Sequence, residues 1–352
     1  MRPFDYVRAS SLAEAVAAGA SPDTAYLAAG TNLVDLMKGG ISRPGRVVDI
    51  TRLPGLDRIE TLPDGSTRIG ALVRNSAIAR DASFVALYPA VAEALLSGAS
   101  AQLRNAATAA GNVLQRTRCQ YFYDTASACN KREPGAGCEA RGGVTRGHAI
   151  LGWSEHCIAT NPSDFCVPLA ALGAVVEIEG PSGRREVAFE EFHLLPGETP
   201  ERETVLQPGE LVVALRLPPE AAGFAAHSRY LKVRERTSYA FAVVSAAVGL
   251  RMDGGTIAEA RIALGSVALK PWRAKATEAV LLGRAPDQEA FRAAAEAALA
   301  DARPSGDNAF KIELARRIVV RALTQAAAGT PARLPALPAS PFAVAAGDAV
   351  HA

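Results

Sequence analysis

Apolar and polar positions over the first fifty residues predict a compact β-α-β unit. A helix is predicted over residues 12–18, an apolar strand over 25–29, and a second strand around 47–50. Between the strands, Gly30 allows a tight turn and Gly39-Gly40 ends a short helix. A glycine turn before a helix presents free main-chain N–H groups that suit a pyrophosphate, although such turns also occur as plain connections.

The middle of the chain alternates short strands with apolar helices. Residues 66–73 alternate as strands, 84–98 form an apolar helical run, and 209–218 form a strongly alternating strand. Between these elements, residues 105–115 are rich in small side chains around Gly111. Small side chains let the backbone approach a ligand closely, and they fit a tight turn between core elements equally well.

A change in composition past about residue 220 predicts a second α+β unit. Two β-runs, 240–252 and 256–268, meet at Asp253-Gly254-Gly255, which is typical of a hairpin turn. The proline-rich residues 330–352 cannot form a helix and are predicted to be an extended tail that either wraps a neighbour or is disordered. Three alanine-rich amphipathic helices are predicted before this tail, at about 272–283, 287–301 and 308–326.

Length and charge exclude several classes of function. With 352 residues, the chain is long enough to bury a core without disulfide staples. The formal net charge is +2 and acids and bases are mixed throughout, so we expect no nucleic-acid partner. Glu14 interrupts the most apolar part of the N-terminus, so we expect neither an export signal nor membrane insertion in this chain.

Five cysteines cluster between residues 119 and 166 with the spacing C-x9-C-x8-C-x18-C-x8-C. An odd number in one segment argues against a disulfide framework. Three of them lie within residues 116–149, a long stretch without helical or strand periodicity, and such loops are usually functional or disordered. The spacing matches no common zinc or ferredoxin motif, so the identity of a metal has to be argued from the setting.

The setting of the cysteines favours an iron–sulfur cluster over zinc, because thiolates need neutralising and basic residues are abundant. A zinc ion held by cysteines with His148 or His156 is the competing interpretation, and the histidines are otherwise predicted to be ordinary polar residues. Cys166 falls in the first turn of an apolar helix, where cysteine behaves as a small hydrophobe. The basic residues of the loop are Arg116, Arg118, Lys131, Arg132, Arg141 and Arg146. The remaining candidate ligands are Cys119, Cys129, Cys138 and Cys157.

Several motifs resemble those of a known family. They are LAAGTNLVDLMK, TAAGN at 108–112, NVLQRTRCQYF with CNKREPGAGC, HAILG with HCIATNPSDF, and GELVVALRLP followed by LKVRERTSYA. Over residues 1–325 the chain resembles the FAD-binding subunits of the xanthine dehydrogenase and carbon monoxide dehydrogenase group of molybdenum hydroxylases. Within that group it most resembles the periplasmic aldehyde oxidoreductases, whose flavin subunit carries an additional [4Fe-4S] cluster.

The resemblance implies a fold and its division into domains. The implied fold is α+β, a two-subdomain FAD-binding fold of the PCMH type followed by a C-terminal α+β domain of the carbon monoxide dehydrogenase flavoprotein type. The implied boundaries are 1–220 for the FAD-binding domain (subdomains of about 1–55 and 56–220, with a cluster loop at 116–157), 221–328 for the C-terminal domain, and 329–352 for a Pro/Ala-rich tail.

The resemblance also implies site residues, carried over motif by motif. The first flavin loop, which would hold the FAD pyrophosphate, falls on Leu27, Ala28, Ala29, Gly30, Thr31, Asn32 and Leu33. The second loop falls on Thr108, Gly111 and Asn112, with Ala110 where the family usually has glycine. Asp164 and Lys232 would reach the flavin nucleotide, and Val212 would pack near FAD. The four ligands of the [4Fe-4S] cluster fall on Cys119, Cys129, Cys138 and Cys157, and no catalytic residue is implied.

The implied role is electron transfer within a molybdenum-dependent aldehyde oxidoreductase. Electrons would arrive from a partner [2Fe-2S] subunit and leave to an external acceptor, while a third subunit would hold molybdopterin. The resemblance implies a periplasmic location through co-export with a partner that bears a twin-arginine signal, with a cytoplasmic location as the alternative. Rival interpretations are a stand-alone flavoprotein oxidoreductase with a structural zinc, and a non-catalytic scaffold for partner subunits.

Overall fold

The structure is a computed structural model that describes residues 1–332. Three β-sheets with helices packed against them organise this part of the chain, in agreement with an α+β fold. The predicted tail falls mostly on residues 333–352, which lie outside the described residues. Within residues 1–332, no helix is both long and apolar enough to cross a bilayer.

The first sheet contains three parallel strands in the order β1-β3-β2. Its elements are β1 Asp5–Arg8, α1 Leu12–Gly19, β2 Thr24–Leu27, α2 Leu33–Lys38 and β3 Arg46–Asp49. The predicted β-α-β unit is confirmed, and β1 is an addition that the hydrophobic pattern missed. Three of the four side chains in β1 are exposed, so the strand carries almost no apolar signal.

The second sheet contains five antiparallel strands in the order β4-β5-β8-β6-β7. Its strands and helices are β4 Ile59–Thr61, β5 Thr67–Gly70, α3 Asn75–Ile78, α4 Ala82–Leu87, α5 Pro89–Ser97, α6 Ala101–Ala106, α7 Ala109–Val113, α8 Gln120–Tyr123, α9 Cys166–Ala171, β6 Val175–Gly180, β7 Gly183–Ala188, α10 Phe189–Phe192 and β8 Leu211–Leu217. Strand β8 is central and separates two cores, because Val212 and Leu215 pack into one and Leu211 and Val213 into the other.

The apolar run at 84–98 was predicted as one helix and is two. Helix α4 ends at Leu87, and α5 begins at Pro89. The residue between them, Tyr88, has φ −133° and ψ 57°, outside the helical region. A proline ring disfavours the helical conformation of the residue before it, and proline is well accommodated at the first position of a new helix. Pro89 therefore accounts for the break.

The third sheet is antiparallel, in the order β12-β11-β10-β9. The predicted hairpin turn is confirmed, since Gly254 and Gly255 both have positive φ, 53° and 86°. The first predicted helix starts later than residue 272, because Trp272 and Arg273 pair with β11 instead. The elements are β9 Ser228–Val233, β10 Val244–Asp253, β11 Thr256–Gly265, β12 Trp272–Arg273, α11 Lys275–Leu281, α12 Gln288–Ala298 and α13 Phe310–Ala327.

The second and third sheets share a packed and hydrogen-bonded interface. Tyr230, Ala247 and Ala263 of the third sheet belong to the same buried apolar cluster as helices α5 and α9. The buried carboxylate of Glu93 accepts hydrogen bonds from the main-chain N of Tyr230 at 2.7 Å and from Arg229 Nε at 3.1 Å. An ion pair at such a depth contributes a defined geometry more than net stability.

Residues 116–149 contain little regular structure, as the sequence predicted, and this continues through residue 157. Helix α8 and a 3-10 turn at Glu139–Gly142 are the regular elements of this described loop. Side chains bind main-chain groups that no helix or strand satisfies. Arg132 donates to the main-chain carbonyls of Tyr121 and Phe122, both at 2.9 Å. Asn130 accepts from Gly137 N at 2.7 Å. The loop is therefore ordered by polar contacts.

Candidate functional site

A cleft of about 890 Å³ lies where the first loop, helices α5 to α7, and strand β9 meet. Its walls combine apolar side chains with a similar number of polar and charged ones, among them the arginines Arg104, Arg118, Arg146 and Arg236. Six of the residues implied for FAD line this cleft: Thr31, Asn32, Gly111, Asn112, Asp164 and Lys232. The fold thus brings together, in one cleft, implied FAD residues from four separate segments of the chain.

The first loop, at the end of β2, leaves main-chain donors free. Gly30 has φ +73°, a conformation that side chains disfavour, and its carbonyl accepts from Val34 N at 3.1 Å. The main-chain amides of Thr31, Asn32 and Leu33 have no acceptor within residues 1–332. Asn32 Nδ2 is also buried without a partner there. This group of free donors can bind an anion.

The second loop differs, because its main-chain amides are already bonded. Ala109 N donates to Val73 O and Ala110 N to Ala71 O, and the Gly111 amide donates to the Thr108 hydroxyl at 3.3 Å. A Cβ atom on Gly111 would lie 2.9 Å from that hydroxyl oxygen. Ala110, which replaces the family glycine, is buried and does not line the cleft. The second loop therefore supplies a close-fitting surface and not a set of free amides.

A buried ion pair lies on the cleft wall between Asp164 and Lys232. Lys232 Nζ is 2.7 Å from Asp164 Oδ2 and also donates to Ser97 O at 3.1 Å. Tyr230 donates its hydroxyl proton to Asp164 Oδ1 at 2.5 Å. Burial and the neighbouring Asp164 charge raise the pKa of Tyr230 well above its usual value, so the phenol stays a donor.

The other residues implied for FAD do not line the cleft. Val212 is fully buried in β8, paired with Ile178, and faces a hydrophobic core. Thr108 is buried and caps α7, whose Gly111 and Asn112 line the cleft. Contact of these residues with a cofactor stays a prediction. The residues that do not line the cleft are Leu27, Ala28, Ala29, Gly30, Leu33, Thr108 and Val212.

Four cysteines line a second, small cavity in the loop 116–157, here called the cysteine cavity. Cys129 and Cys138 face each other across an isolated β-bridge. Cys166 lies elsewhere, fully buried in the core as the first residue of α9, as its place in an apolar helix predicted. The cysteines of the cavity are Cys119, Cys129, Cys138 and Cys157.

The thiols in the cysteine cavity combine burial with nearby amide donors. Burial raises the pKa of Cys119 to about 12 and that of Cys157 to about 11, and it also raises the pKa of Cys138. Main-chain amides oppose this effect at each sulfur, for example Ala159 N, 3.5 Å from Cys157 Sγ. Amides directed at sulfur stabilise a thiolate, which is the form that binds metals.

The basic residues of the loop do not all surround the cysteines, which corrects the sequence interpretation. Lys131 lines the cysteine cavity, where it pairs with Glu203 at 3.1 Å. Arg118 and Arg146 line the cleft instead, and Arg141 pairs with Glu155. Composition alone places charge in a loop but does not assign it to one of two neighbouring sites.

Residues 115–119, here called the shared wall, contribute to both the cleft and the cysteine cavity. This segment forms neither helix nor strand. Gln115 and Arg118 line the cleft, whereas Thr117 and Cys119 line the cysteine cavity. The two sites are therefore neighbours along one short stretch of main chain.

Sequence reasoning missed a group of cleft residues in the segment 234–243. Tyr239 and Phe241 are exposed aromatic side chains that line the cleft, and Arg118 stacks on Phe241 with 5.0 Å between the guanidinium carbon and the ring centroid. Tyr239 has φ +51°, unusual for a residue with a side chain. The motif LKVRERTSYA contains this tyrosine, but spacing alone does not show which residues face the cleft.

In the described residues, no group of three or more His, Cys, Asp or Glu side chains is arranged to hold a single metal ion. Four thiols and His156 nevertheless line one cavity. A tetrahedral zinc site brings sulfur atoms to about 2.3 Å from one ion. The arrangement of these side chains by itself supports neither zinc nor a cluster.

Comparison with known proteins places the chain in a family. Residues 2–220 match the FAD binding domain in molybdopterin dehydrogenase, and residues 229–326 match the CO dehydrogenase flavoprotein C-terminal domain. The chain is similar to the aldehyde oxidoreductase FAD-binding subunit PaoB of Escherichia coli (strain K12), with 47% identity over 93% of this chain and 99% of that protein. It is 30% identical to the carbon monoxide dehydrogenase medium chain of Hydrogenophaga pseudoflava, over 92% and 96% of the two chains.

Solved structures agree with the sequence comparison. Carbon monoxide dehydrogenase from Hydrogenophaga pseudoflava superposes with a TM-score of 0.72 at 30% identity, covering 93% of this chain and 98% of that one. Quinoline 2-oxidoreductase from Pseudomonas putida 86 superposes with a TM-score of 0.71 at 25% identity, over 93% and 98%. Together with the cleft formed by the implied flavin residues, these likenesses show that the chain belongs to the family of FAD-binding subunits of molybdenum hydroxylases.

Proposed function

We propose that this chain carries FAD in the cleft and a [4Fe-4S] cluster in the cysteine cavity, and that it transfers electrons within a molybdenum-dependent aldehyde oxidoreductase. The observation that carries the proposal is that four cysteines line one cavity, and that the shared wall contributes side chains to both this cavity and the cleft. The similarity to an aldehyde oxidoreductase subunit supports the aldehyde as substrate.

The cleft residues suit FAD in two ways. The free amides of Thr31, Asn32 and Leu33 would bind the pyrophosphate, because an anion satisfies donors that have no other acceptor. The Asp164–Lys232 pair fixes the opposite wall, and its hydrogen bonds to Tyr230 and Ser97 restrain both charged side chains. The chain's own contribution is therefore to bind and orient the nucleotide.

The cysteine cavity supplies the side chains that a cluster needs. Each cysteine of a [4Fe-4S] site binds a different iron atom, so four thiols are required. Four thiols line this cavity, and main-chain amides lie beside the sulfur atoms of Cys119, Cys138 and Cys157. Lys131 adds positive charge near the thiolates, which a cluster with net negative charge requires.

The shared wall supports electron exchange between the two sites. When bound, a flavin takes up electrons singly and releases them in pairs, which suits a relay of one-electron centres. Cys119 is in the shared wall, next to Arg118 of the cleft, so a cluster ligand is adjacent in sequence to a cleft residue. In the proposed assembly, a [2Fe-2S] subunit delivers electrons and a molybdopterin subunit oxidises the aldehyde. Export with a partner, and hence a periplasmic location, stays a prediction.

Cofactor analysis of the purified complex tests the proposal. We expect one FAD and about four iron atoms per copy of this chain beyond those of the [2Fe-2S] subunit. Flavin is measured after acid extraction, and iron and zinc by elemental analysis. Zinc in place of iron would favour a flavoprotein with a structural metal. A fully active complex that lacks flavin would favour the scaffold interpretation.

Changing Gly30 to alanine is expected to reduce the FAD content. The left-handed conformation costs an alanine about 1–2 kcal/mol. The new Cβ would also lie 2.8 Å from Val34 Cγ2, so the first loop must move. Gly40→Ala is the matched control, since Gly40 has φ +72° but open space, with Arg43 Nη2 at 3.5 Å. Flavin per chain is the measurement, and equal flavin loss in both variants would contradict a specific role for Gly30.

A further inference from the structure

We propose that His148 is a positioning residue of the cysteine cavity, which donates a hydrogen bond from Nε2 to Cys119 Sγ and raises the reduction potential of the cluster. The inference rests on the proposed function, because it requires a cluster in that cavity. Nε2 lies 3.2 Å from Cys119 Sγ, within hydrogen-bond reach of sulfur. Sequence reasoning treated His148 as an ordinary polar residue or a zinc ligand.

The position of His148 differs from that of a ligand. Cys119 lines the cysteine cavity, whereas His148 does not. The imidazole is buried and lies beside the Tyr121 ring, with 6.3 Å between the ring centroids. His148 therefore reaches the sulfur of a cavity residue without facing the cavity itself.

The hydrogen-bond balance of the imidazole identifies the donor nitrogen. Nδ1 is buried and has no partner in the described part of the chain. A neutral imidazole carries one N–H, and a metal-bound thiolate can only accept. A proton on Nδ1 would leave a buried donor unpaired and would set the Nε2 lone pair against sulfur lone pairs. The tautomer with the proton on Nε2 avoids both costs.

The main chain of His148 is fixed by two buried residues at the start of α13. Asn308 Nδ2 donates to His148 O at 3.0 Å, and Lys311 Nζ donates to the same oxygen at 2.8 Å. Both side chains are completely buried, and Lys311 also donates to Ser266 O at 2.7 Å. The C-terminal unit thus holds the imidazole from its backbone side.

A second contact, between Thr145 and Asp307, fixes the main chain three residues before His148. Thr145 N donates to Asp307 Oδ1 at 2.9 Å, and Asp307 N donates back to the Thr145 hydroxyl at 2.7 Å. His148 N in turn donates to Thr145 O at 2.8 Å. With its backbone bonded on both sides, His148 has little freedom to move away from Cys119, which is how a supporting residue holds a ligand in place.

The hydrogen bond changes the reduction potential of the cluster because it stabilises negative charge on the cysteine sulfur. Reduction adds an electron to the cluster, and part of the added negative charge falls on the cysteine sulfurs. A donor directed at sulfur stabilises that reduced form, so hydrogen bonds to sulfur raise the reduction potential. Removing the donor from His148 is therefore expected to move the potential to more negative values, with the iron retained.

Three variants of the complete complex test this effect. His148→Phe keeps a planar ring without a donor, and His148→Gln restores an N–H on a side chain of similar reach. His193→Phe is the matched control, because His193 is also a buried imidazole but donates from Nε2 to the main-chain O of Val113 at 3.0 Å and lines neither the cleft nor the cysteine cavity. The midpoint potential is measured by reductive titration followed by electron paramagnetic resonance, and iron by elemental analysis.

The expected result is a more negative potential in His148→Phe, recovery towards the wild-type value in His148→Gln, and no shift in His193→Phe. An unchanged potential in iron-loaded His148→Phe would overturn the inference. Loss of iron from that variant, with His148→Gln also depleted, would make His148 a ligand and would overturn it too. A wild-type complex without this iron would refute the proposed function itself, which separates the two failures.

A measurement on the wild-type complex does not depend on the folding of any variant. Histidine labelled with nitrogen-15 is incorporated, and its coupling to the reduced cluster is measured by pulsed paramagnetic resonance. A hydrogen bond through sulfur predicts a weak coupling. The absence of any coupling would contradict the contact, and a strong coupling would indicate direct ligation.

Discussion

Changing Cys129 to serine is expected to remove the four irons attributed to this chain. A serine hydroxyl does not provide the thiolate that iron requires at neutral pH, and Cys129 is buried among the other ligands. Metal binding also stabilises folding when the ligands are brought together by the fold. We therefore expect residues 116–157 to become sensitive to proteolysis as well. Iron per chain and the rate of proteolytic cleavage are the measurements.

Cys166→Ser is the matched control for this experiment. Cys166 is fully buried but lies at the start of α9 in the core, away from the cysteine cavity. Its replacement places a hydroxyl in a largely apolar core with Ser163 as a hydrogen-bond partner, and burial of a hydroxyl costs at most about 1–3 kcal/mol in protein measurements. The variant is expected to lose stability and to keep its iron. Equal loss of iron in the two variants would show that the four ligands are wrongly assigned.

Changing Asp164 to alanine is expected to have the largest effect on stability. The change leaves the Lys232 ammonium buried without its partner, since 4% of that side chain is exposed. Removing one member of a buried ion pair costs about 3–5 kcal/mol. FAD is expected to be lost as well, because both residues line the cleft. The free energy of unfolding and the flavin content are the two measurements.

Two further variants separate stability from flavin binding. The double variant Asp164→Leu with Lys232→Met removes both charges, so stability is expected to recover while the flavin content stays low. Asp35→Ala removes an exposed carboxylate from the same cleft and is expected to leave stability nearly unchanged. A double variant as unstable as Asp164→Ala would show that the stability loss does not come from the unpaired ammonium.

The sequence predicted most where a residue type has a single physical reason for its place. Gly30 was predicted from its turn and has the positive φ that a turn requires. The hairpin at Gly254-Gly255 was predicted for the same reason. Cys166 was separated from the other cysteines because an apolar helix has no use for a ligand, and the structure places it in the core.

The sequence predicted least where position depends on contacts between distant segments. Arg118 and Lys131 belong to one basic loop, but one lines the cleft and the other the cysteine cavity. His148 contacts Cys119 only because Asn308 and Lys311, about 160 residues away in sequence, hold its backbone. Strand β1 was missed because most of its side chains are exposed and give no hydrophobic pattern. The strand is stabilised mainly by its backbone pairing with β3. Local patterns contain no information on such pairings.

The shared wall connects the occupancy of the two sites. Residues 115–119 supply a boundary to both, and the main-chain N of Arg116 donates to Asn32 Oδ1 of the first loop at 3.0 Å. If assembly of the cluster orders residues 115–119, flavin binding no longer has to order them. The flavin then loses less conformational entropy and binds more tightly. Thermodynamic reciprocity then requires bound flavin to favour retention of iron by the same factor. Under the proposed function, maturation of this subunit would be one cooperative event with two cofactors, and damage to either site would lower the loading of both.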